Sequence, residues 1–295
     1  MTGAPVAARR DPVAAWKRRL VPVNVAGLRT YVLDEGLGAP VLLLHGIPTQ
    51  AFLWRDVARG LAGRWRVVAP DLLGFGLADT PETADVTPRG QAVFLGRVLD
   101  QLGVDPCLIV GHDYGALVAA ELLAREPQRV RGLVLLNTSF WREDWAGTGI
   151  NPLMALRLPL VGEAALKLAR PFMLKMAMRA FVSEQGRLNA ATMAVYWYPF
   201  DHGFARTLLQ LYRSQRLVET DFQRWRQALM EYRRPALVIW GGRDPVFRTW
   251  TGRRIANLLP NARFACLGDA NHYVPEDRPQ ALARLISTYG RSLEG

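Results

Sequence analysis

Three residues have the types that a two-step displacement needs: a carboxylate to attack, an imidazole to activate water, and a second carboxylate to orient the imidazole. Asp113 stands in Gly111-His112-Asp113-Tyr114-Gly115, between an apolar run at 108–110 and a helix-forming run at 116–124. A turn sharp enough to lift one side chain clear of a sheet needs residues without Cβ on both flanks, and Gly111 and Gly115 supply them. Asp244 comes after an apolar run at 235–240, and His272 after one at 262–267. A carboxylate gains little by attacking an ester, because the product would be a higher-energy anhydride. Its productive target is an sp3 carbon bearing a leaving group, and attack by Asp113 would leave an alkyl ester on the enzyme. His272, held by Asp244, would then deprotonate a water that hydrolyses this ester. The oxyanion formed in that step needs backbone N–H donors, which Ile47 and Tyr114 are placed to supply.

These residues meet only if the strands before them are parallel neighbours, since each strand then delivers its following loop to the same sheet edge. The rest of the sequence has that grammar. Runs at 21–25 and 28–33, split by Ala26-Gly27, read as a hairpin at the sheet edge. Buried strands are expected at 40–44, 65–69, 108–110, 130–136, 235–240 and 262–267, with helices at 52–61, 87–102, 116–124, 249–259 and 279–293. Between 140 and 230 the strand runs stop. Helical stretches at 153–178, 184–196 and 204–217, rich in Met, Trp and Tyr, indicate an inserted helical cap. The expected organisation is an N-terminal tail at 1–19 with a solvated Lys17-Arg18-Arg19 run, a core at 20–139, the cap at 140–230 and the rest of the core at 231–295. The fold class is α/β, a mostly parallel eight-stranded sheet with helices on both faces.

Bulk properties narrow the partners. The 295 residues are 50% hydrophobic, ample for a core. No apolar run approaches the roughly 18 residues of a membrane span, and the N-terminus has no apolar signal core, so a cytoplasmic protein without a membrane partner is expected. Cys107 and Cys266 each sit in an apolar strand run and are expected to be buried and reduced. Without a ligand cluster, neither metal nor cofactor is expected. The net charge of +11 comes from scattered arginines and not from a basic stripe interleaved with aromatics, which argues against nucleic acid. The partners expected are a small apolar organic substrate and water; nothing in the sequence speaks to oligomeric state.

The set His45-Gly46-Ile47-Pro48-Thr49 with Phe52-Leu53-Trp54, Asp71-Leu72-Leu73-Gly74-Phe75-Gly76, Gly111 to Gly115, Trp240-Gly241-Gly242-Arg243-Asp244-Pro245 and Asn271-His272 resembles the aspartate-nucleophile α/β-hydrolases. These are the haloalkane dehalogenases and epoxide hydrolases, and the resemblance runs from about residue 21 to the C-terminus. It implies an α/β-hydrolase fold, a catalytic triad of Asp113, Asp244 and His272, and a cis Ile47–Pro48 peptide. Family dehalogenases hold the departing halide with a Trp directly after the nucleophile and an Asn in the His-Gly-x-Pro loop or a cap Trp. Here those positions carry Tyr114 and Ile47, leaving Trp141, Trp145 or Trp197 as substitute indole donors. Epoxide hydrolases aim cap tyrosines at the nucleophile instead. Tyr212-Arg213 is similar to the pair that carries one of them, and Tyr196 or Tyr198 would supply the other. The segment from Leu160 through Tyr196 to Phe200 looks more like a dehalogenase cap. His45 and Asn137 complete the pocket candidates. The residues favour epoxide opening, with haloalkane dehalogenation as the alternative and a small-molecule-binding protein without turnover as a second.

Overall fold

The computed structural model describes residues 11–146, 156–214 and 218–294. In chain order, α1 (Pro12–Lys17) precedes the hairpin β1 (Leu20–Val25) and β2 (Leu28–Glu35), then β3 (Pro40–Leu44), α2 (Arg55–Leu61), β4 (Arg66–Pro70), α3 (Pro88–Leu102), β5 (Cys107–His112), α4 (Tyr114–Arg125) and β6 (Val130–Leu136). Helices α5 (Arg142–Ala146), α6 (Val161–Leu168), α7 (Pro171–Arg179), α8 (Ala190–Asp201), α9 (Phe204–Ser214) and α10 (Glu219–Glu231) follow. The chain then returns to the sheet with β7 (Ala236–Gly241), α11 (Thr249–Leu258), β8 (Ala262–Leu267), α12 (Val274–Asp277) and α13 (Pro279–Arg291).

Successive strand residues point to opposite faces, and here both faces are apolar. Leu42, Leu44, Ile109, Leu133, Leu135 and Val238 join one buried cluster with α3, α4, α10 and α11. Val41, Leu43, Val110, Val134, Leu136 and Ile239 join the other with α2 and α13. The eight strands run in the order β1-β2-β4-β3-β5-β6-β7-β8, with β2 antiparallel to β1 and β4 and every other pair parallel. β3 has β4 on one side and β5 on the other, so the chain leaves it in two directions and opens a crevice at its carboxyl end. Local signals agree with the elements. Thr87 caps α3 by accepting the Gly90 N–H, Pro88 opens the helix, and Gly103 closes it at φ 62°.

Several expectations need correction. The helix foreseen at 153–178 is two helices, because the backbone leaves helical geometry at Ala169 and Pro171 can only start a new one; residues 147–155, like 215–217, lie outside the described residues. α8 starts later than foreseen, after its Asn189 cap, and runs through Tyr196 to Asp201. Lys17 and Arg18 are exposed, as a solvated run would be, but the segment is a helix docked on the core and not a loose tail. Trp16 packs edge-on against Phe52 at 5.1 Å, Lys17 lies over Tyr31, and Arg19 grips Glu35 at 2.9 and 3.0 Å; residues 1–10 lie outside the described residues. Cys107 is buried but Cys266 is exposed, since β8 is the sheet edge and is only half covered. No helix among the described residues is long and apolar enough to cross a membrane.

Candidate active site

Strand register builds the site. Leu44 pairs with Gly111, His112 with Leu136, Leu136 with Ile239, and Gly241 with Leu267, so the loops after β3, β5, β6, β7 and β8 leave the sheet in one row. Asp113 sits at φ 53° and ψ −122°, a costly conformation for a residue with a Cβ. Its backbone is pinned there: the N–H donates to Leu136 O at 3.1 Å, and Thr138 Oγ1 donates to its carbonyl at 2.9 Å. The close approach explains the flanking glycines. A Cβ on Gly115 would lie 2.4 Å from Leu44 O, and one on Gly111 would lie 2.6 Å from Ala116 Cα.

Asp113 Oδ1 accepts the Ile47 N–H at 2.9 Å, and the Tyr114 N–H also bonds the carboxylate. The Ile47–Pro48 peptide is cis. His272 Nε2 stands 3.7 Å from Asp113 Oδ2, and on its other side Nδ1 donates to Asp244 Oδ2 at 2.9 Å. Asp244 is held in turn by Asn137 Nδ2 at 2.6 Å and by the N–H groups of Val246 and Phe247 at 2.7 and 3.1 Å. All three side chains are buried, at 6%, 3% and 3% exposure for Asp113, Asp244 and His272. Burial pushes the Asp113 carboxyl up against the opposing pull of His272 and the two N–H donors. Burial also works against a charged Asp244, but the charge and hydrogen bond of His272 with the Asn137 bond outweigh it and hold Asp244 low. Burial would lower His272, yet Asp244 and Asp113 together raise it above its ordinary value. A carboxylate held by two N–H donors beside such an imidazole can attack carbon and then have its ester hydrolysed by activated water.

The expected side chains divide sharply. Tyr212, on α9, is partly buried; burial and then the Asp113 charge push its phenol up. The Tyr196 hydroxyl is turned to Glu276 Oε1 at 2.5 Å, in a buried cluster with Arg55. Tyr198 stacks on His202 at 3.7 Å and lines a surface depression with Lys17 and Arg29. Tyr114 contributes only its backbone, since its hydroxyl donates to Val86 O at 2.5 Å and its ring packs beside Phe75. The Trp145 indole N–H is used on Ser139 O at 2.8 Å. Trp141 is capped by the Arg254 guanidinium at 3.6 Å, and Trp197 stacks on Phe200 in a different cavity of about 410 Å³. Asn137 is a brace behind Asp244 rather than a pocket wall. His45 likewise secures a loop: its Nε2 accepts the Leu72 N–H at 3.0 Å, and burial lowers its pKa to about 4.

Sequence reasoning missed two neighbours. Tyr273 follows His272 directly, is buried, and donates its hydroxyl to Ile47 O at 3.3 Å; burial, then Asp113, Asp244 and Tyr212, push its phenol well up. His112 Nε2 donates to the His272 carbonyl at 2.9 Å and ties the turn at Asp113 to the loop carrying the imidazole. Adjacency to Asp113 and His272 was the available signal for both. Among the described residues, no group of three or more His, Cys, Asp and Glu could hold a metal ion.

Comparison with known proteins agrees with this geometry. Residues 39–279 match a family model described as alpha/beta hydrolase fold. Haloalkane dehalogenase 2 of Mycobacterium tuberculosis is 34% identical over 265 residues, covering 88% of this chain and 90% of the relative. The cis-3-alkyl-4-alkyloxetan-2-one decarboxylase of Xanthomonas campestris is 29% identical, covering 89% and 92%. The solved structure of haloalkane dehalogenase DbeA from Bradyrhizobium elkani superposes with a TM-score of 0.81 at 26% identity, covering 93% of this chain and 98% of that one. Fold, strand-end geometry and these likenesses coincide over the same span, and the chain belongs to the α/β-hydrolase fold family as one of its enzymes.

Proposed function

We propose that the enzyme opens an epoxide through a covalent ester on Asp113, with Tyr212 receiving the departing oxygen. A carboxylate oxygen of Asp113 bonds to a ring carbon as the C–O bond breaks, and the Tyr212 phenol passes its proton to the alkoxide. His272 then takes a proton from water, the hydroxide attacks the carboxyl carbon of the ester, and the Ile47 and Tyr114 N–H groups stabilise the oxyanion. Collapse of the intermediate releases the diol and the Asp113 carboxylate, and the proton taken up by His272 returns through water to the Tyr212 phenolate, so all three groups end as they began. Helices α5 to α9 act as the cap that carries Tyr212, while α10 packs on α4 in the core.

What supports this reading is that the Tyr212 phenol feels the Asp113 charge, while three of the positions weighed for holding a halide have no free side-chain donor. Ile47 has none to offer, and those of Tyr114 and Trp145 are engaged elsewhere. Burial and the Asp113 charge keep the phenol protonated, as a donor must be. An alkoxide is a stronger base than a phenolate, so proton transfer to it is downhill. Haloalkane dehalogenation is the second reading, favoured by the names of the mycobacterial relative and of DbeA, and it needs the same ester on Asp113.

Single turnover of styrene oxide in 18O-labelled water, beside 1-haloalkanes assayed for free halide, tests both readings. Diol formation with label in the Asp113 carboxylate and no halide release is the expected result. Halide release with the epoxide untouched would move the assignment to dehalogenation. Label only in the product, with none in the protein, would refute the covalent route.

A further inference from the structure

Helices α6 and α7 leave apolar stripes in water. In α6, Val161, Ala164, Ala165 and Leu168 recur at helical spacing and all are exposed, Leu168 at 67%. In α7, Phe172 is 66% exposed and Met176 61%, with Met173 and Ala177 beside them on the outer face. The buried stripe of α7 is a separate one, Leu174 and Met178. A helix that buries one face in a core ordinarily shows a polar face to solvent, and these two do not. Leu158 and Leu160 extend the patch, so seven of the thirteen exposed large hydrophobic side chains among the described residues fall within 158–176. That is a cluster rather than scatter.

The charges around it are mostly basic, with Glu163 and the exposed Asp201 as acids. Arg157, Lys167, Arg170, Lys175 and Arg179 interleave with the stripes, and among the described residues none is in an ion pair with a carboxylate. The one acid of residues 157–180, Glu163, is held by both ends of the Arg213 guanidinium at 2.6 and 2.7 Å. Lys167 and Arg170 also rim the cavity of about 410 Å³ that α6 to α9 enclose. Exposed apolar side chains edged by unneutralised cations are what the headgroup region of an anionic bilayer accommodates: acyl chains cover the apolar face and phosphates meet the cations.

We propose that α6 and α7 form a peripheral docking surface for an anionic lipid bilayer. The surface is distinct from the chemistry at Asp113, and its test needs no turnover. The full-length protein is sedimented with vesicles of mixed phosphatidylglycerol and phosphatidylcholine, and with phosphatidylcholine alone, beside the double variant Phe172→Ser/Met176→Ser and the charge variant Lys167→Glu/Arg170→Glu. Thermal melting confirms that each variant is folded. The expected result is binding to the anionic vesicles that falls about tenfold or more in each variant and weakens at high salt. No binding to anionic vesicles would overturn the proposal, as would binding that both folded variants retain. A dimer that the Phe172→Ser/Met176→Ser change dissociates, in a protein that ignores vesicles, would assign the face to a second copy of the chain instead.

Discussion

Replacing Gly46 by alanine places one methyl group against the proposed nucleophile. A Cβ at this position would lie 2.3 Å from Asp113 Oδ1, 2.5 Å from its Cβ and 2.8 Å from its Cγ. Such contacts relax to roughly 3.5 Å, so the loop after β3 and the carboxylate must separate by about 1 Å. Asp113 cannot give way easily, because Leu136 O and Thr138 Oγ1 hold its backbone in the turn. The loop therefore moves, and the Ile47 N–H that now sits 2.9 Å from Oδ1 moves with it. A misplacement of that size costs on the order of 100-fold in rate, and loss of one oxyanion donor about 100- to 1000-fold. The two losses share one cause and do not multiply, so kcat should fall by about 100- to 1000-fold. Overpacking should also cost about 1–3 kcal/mol of stability. The assay combines kcat, the single-turnover mass of the Asp113 ester and the denaturant midpoint. A folded Gly46→Ala protein with wild-type kcat would refute the claim that this contact sets the reacting geometry.

Three further perturbations separate the roles. Tyr212→Phe should slow formation of the Asp113 ester from an epoxide by roughly 100-fold or more and leave its hydrolysis unchanged, as measured by burst kinetics; an unchanged burst removes Tyr212 from the mechanism. Asp244→Asn should lower the plateau rate by roughly 1000-fold or more and move the acid limb of kcat to lower pH. The sign follows from His272, which must be neutral to accept a proton and is raised by Asp244 and Asp113 against the lowering effect of burial; without the Asp244 charge, burial gains ground. A limb that stays in place in the pH profile contradicts this. Glu276→Ala removes the buried partner of Arg55 and Tyr196 and should cost about 3–5 kcal/mol in urea unfolding. A loss under 1 kcal/mol, as for an exposed pair, would mean that water reaches Arg55.

The strand ends were legible in the sequence because a parallel sheet covered on both faces writes itself as unbroken apolar runs. Asp113, Asp244 and His272 could be placed at one edge from those runs alone, and the register brings them there. Side-chain direction on the inserted helices was not legible. Tyr196 and Tyr212 lie on neighbouring helices, and what separates them is Glu276, 80 residues beyond Tyr196, which takes the Tyr196 hydroxyl, while the Tyr212 phenol feels the Asp113 charge. No local pattern encodes a partner so distant. Tyr114 shows the same limit: its place after Asp113 suggested a side chain at the site, but the Val86 carbonyl draws the hydroxyl away. Cys266 failed for a different reason, since apolar spacing gives strand identity and not strand order, and only the order exposes β8.

Net charge is where averaging along the chain hides local arrangement. The +11 looked diffuse because the arginines are spread through the sequence, but folding divides them into two populations. Arg55, Arg129, Arg213 and Arg224 are neutralised by Glu276, Asp100, Glu163 and Glu121, so their charge is spent on the fold. The cations of α6 and α7 have no such carboxylates and surround apolar side chains that the core does not take. Both stripes of α7 are apolar, so periodicity reads the whole helix as buried, and only the packing of Leu174 and Met178 decides which stripe is inside. Searching the sequence for a membrane span or a basic run passes over such a surface, because its two ingredients alternate within single helical turns and become a patch only when the inward stripe is fixed.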